Sequence, residues 1–502
     1  MDSSLTPDEL RAPPLPLSSS YARLPEHFYA RLRPTPVARP RLIKLNAALA
    51  LELGLELDTA DDAALAALFA GNVLPAGAEP IAMAYAGHQF GHFVPQLGDG
   101  RAILLGELQD RAGVRRDLQL KGSGRTPYSR GGDGRAALGP VLREYLISEA
   151  LHALTVPATR ALAAVVSGEQ VFRDRPLPGA VFTRVAASHI RVGTFQFFAA
   201  REDVAATQRL ADYVIDRHYP EAREAQRPIL ALLDSVTARQ AALVAAWMQL
   251  GFIHGVMNTD NMAVSGESID FGPCAFMDEY DPETVFSSID HAGRYAYANQ
   301  PRAAQWNLAR FAETLLPILD PDPQAALALA SEVIERFAAQ YSRHWLEGMG
   351  RKLGLASAAE GDRALIQSLL DAMHRNRADF TLTFRRLCDV GEVPGAEERM
   401  AALFANPTEC REWLLEWQAR VAGEPGGPGA RAAAMRQVNP AVIPRNHRVA
   451  QAIDAAVEGG DFSPFSELLA VLTQPFELSA TQAAYADPPR PDERVLQTFC
   501  GT

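Results

Sequence analysis

Residues 254–273 read HGVMNTDNMAVSGESIDFGP, and three of their side chains suit chemistry on a phosphate. Asn261 and Asp270 offer an amide oxygen and a carboxylate, hard ligands of the kind that hold Mg²⁺ or Mn²⁺ against phosphate oxygens. Asp260 stands next to Asn261. It is a candidate proton acceptor, with loop hydrogen bonding or a second metal contact as its other uses. Upstream, Lys121 closes a strand-like run, and Glu144 follows on a helical stretch. A Lys and a Glu in that order can join nucleotide phosphates to a helix carboxylate. His254 is read as serving the loop backbone. His88 and His92 have no metal-ligand company and are read as structural.

Two glycine-rich turns flank Lys121. Gly98-Asp99-Gly100-Arg101 precedes one strand, and Gly131-Gly132-Asp133-Gly134-Arg135 precedes the helical stretch. Glycines let backbone N–H groups approach phosphate oxygens, and the arginines add charge. Arg184 and Arg191 lie in or beside strands. A half-buried Arg needs an anion, either a nearby carboxylate or a bound phosphate.

These residues must be positioned by a mixed α+β chain. Strands are expected over 102–108, 117–121 and 179–185, with a hairpin in 162–174 turning at Ser167-Gly168. A helix is expected over 139–154, with Pro140 in its first turn. Residues 1–40 read as a Pro-rich arm, 41–70 as helical and 81–100 as loop. Beyond residue 196 the pattern turns helical, with segments at 237–251, 324–349, 363–380 and 409–423. EPGGPG at 424–429 is the best linker candidate. The last residues, PDERVLQTFCGT, read as a mobile tail.

Composition narrows the classes. The chain has 502 residues, 48% of them apolar, enough for a substantial core. A net charge of −12 argues against non-specific nucleic-acid binding, though not against a local basic pocket. Its four cysteines, Cys274, Cys388, Cys410 and Cys500, form no CxxC pair, so neither a zinc site nor a disulfide scaffold is expected. No secretory signal and no run of eighteen apolar residues is seen, so the expectation is a cytoplasmic protein without a membrane span.

The 254–273 stretch resembles the catalytic loop and metal-binding turn of protein kinases, H-R-D-x-x-x-x-N followed by D-F-G. His254, Asn261 and Asp270-Phe271-Gly272 match that pattern, while Val256 stands where kinases carry their catalytic Asp. Either the protein is inactive or another group does the work on a changed reaction. With YAGHQFGHFVPQLGDGRAILLGE, LQLKGSGRTPYSRGGDGRAALGPVLREYLISEA, HGVMNTDNM and IDFGP, nearly the whole chain resembles the selenoprotein O family of protein adenylyltransferases.

That resemblance implies a protein-kinase-like bilobal fold, with a β-rich N-lobe and an α-helical C-lobe. It implies an N-terminal extension (1–95), a nucleotide-binding lobe (96–195), a helical lobe (196–423) and a C-terminal extension (424–502). It implies ATP bound inverted, and AMP transferred to Ser, Thr or Tyr hydroxyls of proteins. Carried over by position, the nucleotide contacts are Gly98, Gly100, Arg101, Lys121, Asp133, Gly134, Arg184, Arg191 and Asp270. The metal ligands are Asn261 and Asp270 with Mg²⁺ or Mn²⁺, the proton acceptor is Asp260, and Glu144 supports. Cys500 falls where animal members carry selenocysteine; it is a redox candidate or an inert thiol. A monomer is expected. UMP transfer with Mn²⁺, an ordinary kinase using Asp260 and an inactive nucleotide-binding scaffold are the rival readings.

Overall fold

The computed structural model describes residues 13–477 and 479–499. Cys500 and the first twelve residues of the arm lie outside the described residues. The chain opens with β1 (Tyr29–Arg31), β2 (Arg41–Leu45), α1 (Ala47–Glu52) and α2 (Asp62–Ala70). The helical expectation for 41–70 fails over Arg41–Leu45, which pairs antiparallel with a later strand. Asn46 and Asp61 cap the two helices, accepting from Leu49 N at 3.1 Å and Ala64 N at 2.6 Å.

Next come β3 (Ile81–Met83), β4 (Gly87–Gln89), β5 (His92–Val94), β6 (Ala102–Gln109), β7 (Arg115–Lys121) and β8 (Ala136–Ala137). They are followed by α3 (Leu138–Ala153), β9 (Arg160–Phe172) and β10 (Pro176–Ala186). The main sheet runs β1-β3-β6-β7-β10-β9-β2, with β8 paired to β10. The segment expected to pack on the core as an extension thus contributes three strands to its sheet, and the expected loop 81–100 contains three short strands. The expected turn at Ser167-Gly168 is also absent. β9 runs through it, and the chain reverses between Phe172 and Pro176, which face each other across the hairpin. Gly168 takes φ +73°, and a Cβ there would lie 2.7 Å from the Arg39 carbonyl oxygen. It serves a close approach of β9 to the chain just before β2.

Strand alternation sorts β7. Leu118 and Leu120 face a core shared with Leu49, Leu65 and Phe69 of α1 and α2. Gln119 and Lys121 therefore face the opposite side, where α3 lies. On that side Leu142, Tyr145 and Leu146 of α3 pack with Ala164 and Phe182 of the sheet.

The rest is helical: α4 (Val192–Ala199), α5 (Val204–His218) and α6 (Pro228–Leu250), then β11 (Phe252–Ile253) and β12 (Ala275–Phe276). α7 (Gln300–Leu319), α8 (Pro323–Lys352), α9 (Arg363–Asn376), α10 (Phe380–Leu387), α11 (Ala396–Ala401) and α12 (Pro407–Val421) follow. α13 (Gly427–Arg436), α14 (Asn446–Gly459) and α15 (Ser463–Leu472) complete the order. α6 is long and apolar enough to cross a membrane by length and composition, but it packs against α7 and α8. Gly251, at φ +70°, ends it and delivers the chain directly into β11. The second half of the expected linker, residues 427–429, is the start of α13, and Gly426 is its N-cap. α14 and α15 pack on α3, with Val449, Phe465 and Leu468 in the shared core. The tail, expected to be mobile, docks at Thr498: its N–H donates to Phe286 O at 2.7 Å and its hydroxyl to Pro273 O at 2.5 Å.

One buried charge has a measurable consequence. Lys352 is 3% exposed, and its ammonium lies 4.3 Å from the centre of the Phe384 ring. Burial pulls its pKa down to about 7. Above that pH the folded protein sheds a proton that the unfolded chain keeps, so stability rises with pH, by at most about 1.4 kcal/mol per unit, until free lysine titrates. Lys352→Met is expected to raise the melting temperature at neutral pH and to remove that slope. Denaturant titrations at several pH values check both.

Candidate active site

The β11–β12 ladder pairs Phe252 with Phe276 and Ile253 with Ala275, closing residues 254–274 into one loop. His254 ties this loop together. Its N–H donates to Gln300 Oε1 at 2.9 Å, and its ring Nε2 bonds Ile269 O at 2.9 Å. That second bond fixes the backbone one residue before Asp270, in keeping with a loop-backbone role. Asp270 itself has φ +67°, the left-handed region that a non-glycine residue enters only under constraint. Val256 is buried and apolar, and its carbonyl accepts from Asn261 Nδ2 at 3.0 Å.

Asp270 is the centre of an ionic cluster. β10 pairs with β7 so that Arg184 lies opposite Gln119 and Phe182 opposite Lys121. Lys121 and Arg184 therefore share the α3 side of the sheet. Lys121 Nζ reaches Glu144 Oε2 at 2.5 Å and Asp270 Oδ1 at 3.1 Å. Arg184 pairs with Glu144, its Nε at 2.9 Å, and reaches Asp270 Oδ1 at 2.6 Å. Arg191, at the start of α4, reaches Asp270 Oδ2 at 2.7 Å. The anions that the two arginines require are thus carboxylates here. Burial would raise both carboxyls, but the guanidiniums and Lys121 overcome it and hold Glu144 below, and Asp270 far below, the usual range. Three cations stand against two carboxylates, so the cluster holds positive charge in excess.

Asp260 lies beside this cluster, 7% exposed. Arg191 donates to its main-chain oxygen at 2.6 Å, and Gln89 Nε2 donates to Oδ2 at 3.1 Å. Oδ1 is buried with no hydrogen-bond partner. Burial raises the carboxyl to about 6 against the opposing effects of Gln89 and Arg191. Gly87 leaves room for it: a Cβ there would lie 2.6 Å from Oδ1 and 2.9 Å from the Asp260 Cβ. Gly87→Ala must displace the carboxylate, and a shift of about 1 Å is expected to lower transfer about 10²-fold. Transfer kinetics beside a thermal melt separate this from unfolding.

The glycine loops pack on each other. Gly98, at φ +77°, presses the Tyr128 ring, and a Cβ on Gly100 would lie 2.8 Å from Tyr128 O. Gly134, at φ +71°, abuts the Gly124 backbone. Arg101 O accepts from Gly122 N at 2.7 Å, which sets it beside Lys121. Asp133 is not brought to the ionic cluster; it pairs with Arg173 at 2.8 Å on the surface. His88 bonds Gln196 through its ring at 2.8 Å, and its N–H donates to Thr259 Oγ1 at 2.6 Å, while His92 is exposed. Three residues of the site escaped the sequence reading: Gln89, Tyr85, whose ring lies 4.8 Å from the Arg191 guanidinium, and Asp99, buried and raised by burial to about 6. YAGHQFG was the signal for the first two, but only its histidines stood out.

The donors fit a hard divalent cation. Asp270 is held ionised, and the bond to Val256 commits the Asn261 nitrogen, leaving its oxygen as the ligand atom. Among the described residues no group of three or more His, Cys, Asp or Glu side chains could hold a metal, and both Asp270 oxygens already meet Lys121, Arg184 or Arg191.

The family model for protein adenylyltransferase SelO matches residues 14–473. Relatives described as protein nucleotidyltransferase YdiU are similar over almost the whole length. The Rhizobium johnstonii protein is 63% identical over 487 residues, 97% of each chain. The Rhizobium meliloti protein is 63% identical over 484 residues, 96% of this chain and 99% of its own. A Bradyrhizobium protein is 63% identical over 490 residues, 97% of this chain and 99% of its own. With a carboxylate, an amide oxygen and three cations gathered around one loop, and with these relatives, the chain belongs to the SelO family and is a nucleotidyltransferase that acts on proteins.

Proposed function

We propose that the protein transfers AMP from ATP to Ser, Thr or Tyr hydroxyls of proteins and releases pyrophosphate. The observation that carries this is the neighbourhood of Asp260. One carboxylate oxygen is buried without a partner, next to Asn261 and to a cationic cluster on Asp270, while Val256 holds the kinase base position.

In this reading Asp260 Oδ1 accepts the proton of the target hydroxyl as its oxygen attacks the α-phosphorus. The bond from that phosphorus to the bridging oxygen breaks, and pyrophosphate leaves. Lys121, Arg184 and Arg191 hold the polyphosphate, and Glu144 holds Lys121 and Arg184 in place. This reading also assigns nucleotide contacts to Arg101 and to the backbone around Gly98, Gly100 and Gly134. Mg²⁺ or Mn²⁺ bound by Asn261 and Asp270 supplies further neutralisation of phosphate charge. An inverted nucleotide would bring its α-phosphate, rather than its γ-phosphate, to Asp260 and Asp270.

The same reading takes residues 96–195, with α3 and the sheet strands β6 to β10, as a kinase-like N-lobe whose sheet β1, β2 and β3 extend, and the helices from α4 onward as the C-lobe to 423. Residues 1–95 and 424–502 are then additions to that core. It places the protein in the cytoplasm as a monomer, bound to neither nucleic acid nor membrane. Intact-mass spectrometry of a protein substrate after incubation with ATP tests it. A gain of one adenylyl group is expected, and a gain of one phosphoryl group overturns it. Adding UTP in competition separates AMP from UMP transfer.

A further inference from the structure

Away from the ionic cluster on Asp270, one concavity carries cationic charge that, among the described residues, no carboxylate pairs with. It measures about 270 Å³ and is lined by Arg294, Asn299, Arg302, Ala303 and Trp306. The chain as a whole carries net charge −12, yet among the described residues neither Arg294 nor Arg302 forms an ion pair. Arg310, on the same helix, shows the contrast, being paired with Glu313 at 2.6 Å. The Arg294 guanidinium lies 4.7 Å from the Trp306 ring centre, and its Nε is buried without a hydrogen-bond partner. Arg302 is exposed at the rim.

Short links join this concavity to Asp260. The Tyr295 hydroxyl donates to Asn258 Oδ1 at 2.8 Å, and Asn258 Oδ1 also accepts from Phe90 N at 3.0 Å. His88 packs edge-on against Trp306 with centroids 5.2 Å apart. The next residue, Gln89, donates to Asp260 Oδ2 at 3.1 Å. One short hairpin thus touches the concavity wall with one residue and the candidate base with its neighbour.

We propose that this concavity is a docking subsite for an acidic side chain, Asp or Glu, close in sequence to the hydroxyl that receives the nucleotide. The inference rests on the protein-modifying reading above. The nucleotide is not the occupant favoured here, because the cations that match its phosphates already converge on Asp270. Size points the same way. A volume of about 270 Å³ is enough for one or two side chains and sits at the small end of the ~300–1,000 Å³ of small-molecule pockets. Each guanidinium is a planar fork suited to a carboxylate, and the Arg294 fork is held against the Trp306 ring.

The test uses the full chain and peptides with a single Tyr, flanked at varied spacing by Glu, Gln or Lys. Binding is read first, by fluorescence anisotropy of labelled peptides, so the subsite is judged independently of transfer. The Glu peptide is expected to bind about tenfold more tightly than its Gln counterpart, the size of one charge-assisted hydrogen bond. Arg302→Glu is expected to invert the preference toward Lys peptides, and Arg294→Met to remove it, with the affinity for ATP unchanged in both. Equal binding of Glu and Gln peptides, or an unaltered preference in Arg302→Glu, overturns the subsite. Transfer to the same peptides is then measured with MgATP and MnATP. Glu-selective binding without transfer to any peptide or protein leaves the subsite standing and counts against the proposed activity.

Discussion

Asp260→Asn is expected to lower nucleotide transfer about 10³-fold, within the range by which a positioned general base contributes. The amide has nearly the same shape as the carboxylate, so the tight fit against Gly87 survives. Its oxygen can still accept from Gln89 Nε2. Arg191 binds the main-chain oxygen of residue 260, so its position is not disturbed. ATP affinity should therefore stay within a few-fold of the parent. Removing a buried carboxylate should leave the melting temperature unchanged or higher. Single-turnover transfer kinetics with a calorimetric ATP titration check both halves. Transfer near the parent rate would mean that another group takes the proton.

Asp270→Asn has a second large effect, on stability as well as on transfer. Lys121, Arg184 and Arg191 all end on this carboxylate, and Arg184 is 1% exposed. Without it, three cations face each other with Glu144 alone among them. Breaking a buried ionic cluster in this way costs about 3–5 kcal/mol. The folded-state pKa of Asp270 is depressed, so its contribution is present above the pKa of a free Asp and is lost as pH falls toward the folded value. The melting-temperature gap between parent and variant should accordingly close in acid. Inorganic pyrophosphate should narrow the gap at neutral pH, because a polyanion can replace the missing charge. Transfer is expected to fall about 10³-fold even so, since in the proposed reading the Asp270 carboxylate holds the metal and orders the three cations that grip the phosphates. Thermal melts with and without pyrophosphate measure the first effect, and transfer assays the second.

Local signals were enough for the parts of the site that a strand, a helix start or a fixed loop spacing sets. Lys121 and Glu144 were readable because one ends an alternating strand and the other sits on the helix behind Pro140. The spacing of His254, Asn261 and Asp270 was readable because one closed loop holds all three. What escaped depends on partners distant in sequence. Arg41–Leu45 has apolar residues that suit either periodicity, and only pairing with β9 makes it a strand. Ser167-Gly168 carries turn-forming residues, but the glycine answers to the backbone at Arg39. Gln89 looks like a loop amide until the β4–β5 hairpin folds over Asp260. The tail looked loose, yet Thr498 is held by the backbone of Pro273 and Phe286. Asp133 sits in a glycine-rich motif that looked phosphate-binding but turns outward to Arg173.

The most direct measurement compares ATP labelled on the α-phosphate with ATP labelled on the γ-phosphate, in parallel incubations with the full chain and a protein substrate. Label is expected to enter protein from the α-phosphate alone, with pyrophosphate released and with incorporation about 10³-fold slower in Asp260→Asn. Incorporation from the γ-phosphate instead would make the loop that of a kinase and contradict adenylyl transfer.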